Sequence, residues 1–377
     1  MITSPFYFVL LAGSVILFWV IPRNNLRIIF LALTSLAIVS YWDHWAGVIV
    51  IILSSFSFGI AKAIENGRHK TLIHKCGVVV LVLLLFTFKY LGFLDQTFNS
   101  LLRLIHASPS SFSINDILPP LGISYIVFKL ISYITDVLWG VVKPGRYIDV
   151  LCYSSLFTIF AAGPIERFER LKPQLENKEV AFKAEFIEVG IRRIIYGLFK
   201  KLVISDWIAF FIGPILKSTG EIPSTLRMIA LVGFSIQIYT DFSGYSDIAI
   251  GSSKLFGLTI MENFNWPYLS TNMSKFWRSW HISLSDWIRD YLFFPLCRWS
   301  DKTIWIIFFV PLIAMGLCGL WHGASWNFVL WGMWHGLGIA SVQVWHRYRI
   351  KSWIIQNNYA KAFISFFSAI AYLLNSL

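Results

Sequence analysis

Charge is what this sequence has least of. Only 14% of its 377 residues are Asp, Glu, Lys or Arg, against about a quarter in an ordinary soluble domain, and that deficit excludes a soluble globular protein. Cysteine is also sparse. Cys76, Cys152, Cys297 and Cys318 are scattered, form no CxxC pair and sit mostly in apolar stretches, so neither a disulfide framework nor a metal site is supported. No GxSxG, P-loop, HExxH or GxGxxG occurs, which argues against a hydrolase elbow, an ATPase, a zincin or a dinucleotide fold. The first 22 residues carry no charge before Arg23; a cleavable signal peptide would need a basic start, so residues 6–22 read as a retained first span. Acid is missing altogether from Lys302 to Leu377.

What is there is apolar. At about 20 residues per crossing helix, a chain of 377 residues that is 56% hydrophobic has material for on the order of ten spans. Apolar windows recur near 6–22, 26–42, 45–61, 76–94, 118–142, 150–165, 191–213, 225–250, 303–321, 324–344 and 362–377. They are too long and continuous for barrel strands, and helices satisfy their own backbone in lipid. The expected fold is all-α: a polytopic integral membrane protein of about eleven transmembrane or re-entrant helices, with interfacial amphipathic helices besides. No internal repeat or linker is visible, so residues 1–377 read as a single membrane-embedded domain.

The net charge of +12 is a topology signal rather than a nucleic-acid footprint. Residues 62–75 carry Lys62, Arg68, Lys70 and Lys75 against Glu65 alone, and residues 346–361 carry Arg347, Arg349, Lys351 and Lys361 with no acid; both loops are expected in the cytoplasm. The mixed-charge segment 166–201 reads as an amphipathic layer along the membrane. Strict alternation of spans would put it outside, so one window between 118 and 165 is expected not to cross fully.

Charges in hydrocarbon are costly, which makes polar residues inside the windows the first functional candidates: Lys89, Lys129, Asp136, Asp241, Asp247, His322 and His335. Lys89, near the end of its window, is expected to snorkel. Lys129 and Asp136, seven apart, face one side and suit a structural or gating pair. Two stretches carry more. In 239–295, Trp277 and His281 are expected on one helical face, near Arg278, Asp286, Arg289 and Asp290, in an interfacial helix pair stopped by Pro295. In 319–338, His322 sits among Trp321, Trp326 and Trp331, with Gly319, Gly323 and Ala324 permitting close approach. His335, 13 residues on, would face another side of a continuous helix; a structural role is expected for it. The His281 to Asp286 spacing also fits HxxxxD, the dyad of soluble-type glycerolipid acyltransferases, but two residue types at one spacing carry little weight.

Five motifs together resemble the membrane-bound O-acyltransferase superfamily, in the bacterial branch of the alginate O-acetylation and teichoic-acid D-alanyl transfer proteins. They are PPLGISYIVFKLISYITDV at 119–137, AAGPIERFERLKPQL at 161–175, DFSGYSDIAIGSSKLFG at 241–257, FWRSWHISLSDWIRDYLFFPL at 276–296 and LWHGASWNFVLWGMWHG at 320–336. Two departures stand out. Cys297, Arg298 and Trp299 follow FFPL where alginate-type members continue into a Gly-Gly-Asn turn, and the family usually extends through further C-terminal helices, so the chain is expected to be a short member or a fragment.

The resemblance implies a function. His322 corresponds to the superfamily's membrane-embedded histidine and His281 to the second histidine of this branch, with Trp277, Arg278, Asp241 and Asn327 as substrate-binding candidates. A neutral imidazole, with an ordinary pKa of about 6.5, suits removal of a hydroxyl proton during acyl transfer. Because no acid follows Lys302, a carboxylate orienting His322 would have to come from upstream, and no carboxylate dyad is expected. The implied reaction moves an acyl group, favouring acetyl from acetyl-CoA as the cytoplasmic thioester donor, toward an exported polysaccharide or cell-wall glycan. It needs no bound cofactor or metal, and an extracytoplasmic SGNH-type acetyltransferase is the implied partner, at a bacterial plasma membrane. D-alanyl transfer to teichoic acid from a carrier-protein thioester is the alternative within the class. A secondary transporter using Lys129, Asp136 and Asp241 as an ion relay is the alternative outside it, disfavoured by the absence of inverted repeats.

Overall fold

The computed structural model describes residues 2–105, 119–177, 181–218 and 220–348. Among them no β-strand occurs, and fifteen α-helices follow one another. They are α1 (Pro5–Val20), α2 (Asn24–Trp42), α3 (His44–Asn66), α4 (Lys70–Leu104), α5 (Ile123–Trp139), α6 (Tyr147–Ser155), α7 (Phe168–Glu176), α8 (Ala184–Leu198), α9 (Asp206–Lys217), α10 (Ser224–Leu255), α11 (Met273–Trp277), α12 (Ile282–Ile288), α13 (Phe294–Cys297), α14 (Val310–His322) and α15 (Trp326–Tyr348). Three π-helical segments extend them: Phe199–Ser205 joins α8 to α9, Arg289–Phe293 joins α12 to α13, and Trp305–Phe309 leads into α14.

Four of these stretches are long and apolar enough to cross a membrane: α2, α3, α4 and Trp305–His322; α1 is apolar but shorter. Apolar side chains on the outside, such as Ile52 of α3 and Leu83 of α4, suit lipid. The window at 150–165 becomes α6, whose nine residues span only about 14 Å, under half of a hydrocarbon core of about 30 Å. The window at 362–377 and most of the basic loop 346–361 lie outside the described residues.

The helices gather into two compact units. The first comprises Val9–Phe182 and Gly316–Gly332. Asp43 organises its entry: one carboxylate oxygen accepts from the Ala46 amide at 3.1 Å, capping α3, and the other accepts from the Leu121 amide at 2.8 Å, anchoring the chain before α5. The buried hydroxyls of Ser54 and Ser154 meet at 2.5 Å, one of the small polar contacts that join helices when lipid gives them no hydrophobic reason to associate. The motif at 161–175 is a buried knot. Phe168 packs edge-on against Tyr133 and Tyr153 at 4.8 and 5.3 Å, and buried Glu166 accepts from the Arg170 Nε at 3.0 Å. Nearby, the buried Asp149 takes a two-pronged hydrogen bond from Arg146 at 2.7 and 2.9 Å, which raises the guanidinium above its ordinary range.

Among the described residues the second unit comprises Ile2–Phe8, Lys183–Met315 and 333–348. Its spine is the pair α8 and α10, brought together by glycines. A Cβ on Gly190 would meet the Gly251 carbonyl at 2.9 Å and one on Gly197 the Gly244 carbonyl at 2.6 Å; the reverse contacts are equally tight. The pairing of 190 with 251 and 197 with 244 makes the helices antiparallel, with backbones touching where larger side chains would hold them apart.

Candidate active site

His322 is the last residue of α14, and α15 begins four residues later at Trp326. The turn between them is tight because two glycines permit it: a Cβ on Gly319 would collide with the Phe328 carbonyl, and one on Gly323 with the Phe328 ring. His322 and His335 therefore stand on two helices. The windows at 303–321 and 324–344 thus form separate helices, with the break at Gly323–Ser325, where backbone bonds curl back from Gly323 to Gly319 and from Ser325 to Gly323.

The His322 imidazole is exposed rather than enclosed. It stands edge-on between Trp321, at 4.8 Å, and Trp331, at 5.4 Å. Trp321 is itself buried, packed by Tyr125 and Phe128 of α5 at 5.5 and 5.3 Å. The sequence placed an imidazole among tryptophans, and the fold packs its ring between two of them. Asn327, in the first turn of α15, is also exposed.

His281, in the second unit, is built differently. Its backbone is left-handed, φ 42° and ψ 54°, and it sits between α11 and α12. It therefore shares no helical face with Trp277, and the helical run does not stop at Pro295 but continues through it to Cys297; both expectations are corrected. The conformation is uncommon for a residue with a Cβ, and the surroundings hold it. His281 is 1% exposed, with its ring 4.6 Å from that of Phe242. Asn263 clamps the turn: its carbonyl oxygen accepts from the Ile282 amide at 2.9 Å, its side-chain oxygen from the Ser283 hydroxyl at 2.8 Å, and its amide donates to the Ser246 hydroxyl at 3.1 Å. Asn263 was missed in the sequence, where nothing marks it except its place between two motifs. Asp286 is engaged by Arg289 at 2.5 Å, so the HxxxxD spacing builds an ion pair on α12 and its π extension.

The remaining candidates of this unit divide into buried and open. Trp277 donates its indole N–H to Nδ1 of the buried His335 at 3.2 Å, which gives His335 the structural role expected of it. Asp241 pairs with Lys201 at 2.7 Å, and Asp247 accepts from both Arg193 and Lys200 at 2.6 Å. Both cations of the π segment thus reach α10 carboxylates, and Arg193 continues to Glu262. Arg278 is exposed and lines an open cleft of about 330 Å³ with Lys275, Asn265, Trp266 and Ser279; two cations and hydroxyl and amide donors suit an anionic group.

Lys129 and Asp136, the expected pair, are both buried in α5. The Lys129 ammonium donates to the Tyr153 carbonyl at 2.7 Å and lies 4.9 Å from the Tyr153 ring, which ties α5 to α6.

The fold and site define a class: a helical membrane protein with an exposed histidine at the end of an apolar helix and a second, strained histidine in an aromatic turn. The sequence profile of the membrane-bound O-acyltransferase family matches residues 141–376. The probable alginate O-acetylase of Azotobacter vinelandii is 36% identical over 83% of this chain and 60% of its own length. The peptidoglycan O-acetyltransferase of Helicobacter pylori is 28% identical over 90% of this chain and 71% of its own. The teichoic acid D-alanyltransferase of Bacillus subtilis is 29% identical over 63% of each. The chain belongs to the membrane-bound O-acyltransferase family. It spans about 60% of the length of the alginate O-acetylases it matches.

Proposed function

We propose that this protein is an integral-membrane O-acyltransferase of the bacterial plasma membrane. It moves an acetyl group from a cytoplasmic thioester, acetyl-CoA, toward an exported polysaccharide or cell-wall glycan. The supporting observation is His322: an imidazole framed by Trp321 and Trp331 at the end of a membrane-length apolar helix. The hydroxyl oxygen of the acceptor attacks the thioester carbonyl while the neutral imidazole takes the hydroxyl proton. The carbon–sulfur bond then breaks, and the proton returns to the departing thiolate. A base of this kind contributes about 10² to 10⁴ in rate, and fixed placement of the reactants supplies much of the rest. The donor is a substrate, and the step calls for no bound cofactor.

His281 is the second functional histidine in this reading. The Arg278 and Lys275 cleft suits the phosphates of the donor, with Trp277, Asp241 and Asn327 as further substrate contacts. An extracytoplasmic SGNH-type acetyltransferase would complete delivery to the glycan. Acetyl is favoured over D-alanyl because the alginate O-acetylase of Azotobacter vinelandii aligns at 36% identity over 83% of the chain and the D-alanyltransferase at 29% over 63%.

The test is complementation of a strain lacking the chain's own gene. His322→Ala should abolish glycan O-acetylation at unchanged protein yield, and retained acetylation with that variant overturns the assignment. His281→Ala should reduce it severely. D-alanine esters in place of acetate in the complemented strain would decide for the alternative acyl group.

A further inference from the structure

The end of the helix that carries His322 is held from outside by two adjacent residues of α4. An α-helix leaves its last carbonyls without intrahelical partners, and in α14 these include Leu320 and Trp321. The Tyr90 hydroxyl donates to the Leu320 carbonyl at 3.1 Å, and the Lys89 ammonium donates to the Trp321 carbonyl. The ammonium also lies 5.3 Å from the centre of the Trp321 ring. A cation at a helix C-terminus meets the negative end of the helix dipole, and the interaction is strengthened where water is scarce. The contact is long-range, 232 residues apart in sequence, so it is tertiary positioning and no accident of local geometry. Lys89 therefore does more than snorkel: its half-buried stem reaches along the membrane and delivers the charge to a helix end.

We infer that Lys89, with Tyr90 beside it, is a positioning residue that sets the His322 imidazole for proton transfer by clamping the last turn of α14. Tyr125 and Phe128 hold the Trp321 ring from α5, so the residue before His322 is fixed by its backbone through α4 and by its side chain through α5. The His322 ring, packed against the same indole, inherits that orientation. The inference rests on the catalytic reading of His322.

The experiment measures acetyl-CoA consumption, against acetyl-CoA concentration, by the full chain in membranes. Lys89→Met keeps the stem and removes the donor and charge; kcat should fall about 10- to 100-fold, the scale of a misplaced catalytic group, with KM changed less than twofold. Lys89→Arg restores a cationic donor and should recover kcat to within about threefold of the parent. Tyr90→Phe should lower kcat about threefold. A kcat for Lys89→Met within twofold of the parent overturns the inference, as does a loss that arginine does not rescue. If Lys89→Met lowers yield or melting temperature, Lys89→Arg and Tyr90→Phe decide by the same criteria. Activity retained by His322→Ala would instead remove the catalytic reading itself, an outcome distinct from failure of the clamp.

Discussion

At the scale of single residues, the two histidines differ in kind, and their variants should differ accordingly. In the proposed reading His322 acts in the chemistry, so its truncation should spare the fold. His281 is buried with a positive φ, so backbone tolerance and ring chemistry are separable there. Asn accepts the left-handed region readily: His281→Asn should keep the melting temperature of the purified protein within a few degrees while acetyl transfer falls. A β-branched residue does not; His281→Val should lower the melting temperature, reflecting roughly 1–2 kcal/mol of backbone strain. Asn263→Ala should cost about 1–3 kcal/mol, because it strips hydrogen bonds from the buried hydroxyls of Ser246 and Ser283; thermal unfolding in detergent measures it. The histidines were legible in the sequence because an imidazole in an apolar window is costly and conspicuous. Asn263 was not, because a buried asparagine declares itself only by its partners.

At the scale of helices, glycine spacing does what apolar periodicity cannot. Gly190 and Gly197 of α8, and Gly244 and Gly251 of α10, are each seven residues apart, which puts each pair on one face and lets the helices touch along it. Gly244→Val, whose Cβ would lie 2.7 Å from the Gly197 carbonyl, should destabilise by about 1–3 kcal/mol or more through overpacking, read as lower yield and melting temperature. Gly319→Ala would push against the Phe328 carbonyl in the turn beside His322 and should lower both stability and turnover. Helix ends were the least legible elements. The windows around 303–321 and 324–344 marked α14 and α15 well, but the π segments, the nine-residue α6 and the turn at His281 arise from packing and left no periodic trace.

At the scale of the whole molecule, the basic loop between α3 and α4 is expected on the cytoplasmic side. Arg68→Cys should react with a membrane-impermeant maleimide in inverted membrane vesicles and not in intact cells; the reverse pattern would move 62–75 to the outside. The sequence by itself determined that this is a helical membrane protein, since a charge fraction of 14% leaves water no purchase and lipid admits only self-satisfied backbones. It also determined the family, because five motifs in fixed order carry the chemistry-bearing residues. Only the tertiary structure decided what each polar residue does. Asp247 answers Arg193 and Lys200, Lys129 joins α5 to α6, Trp277 steadies His335, and Lys89 caps the helix of His322. The physical reason is common to all four. In a helix apolar nearly all round, sequence marks no inward face, and a charged or hydrogen-bonding group takes its role from a partner tens to hundreds of residues away that only packing brings within reach.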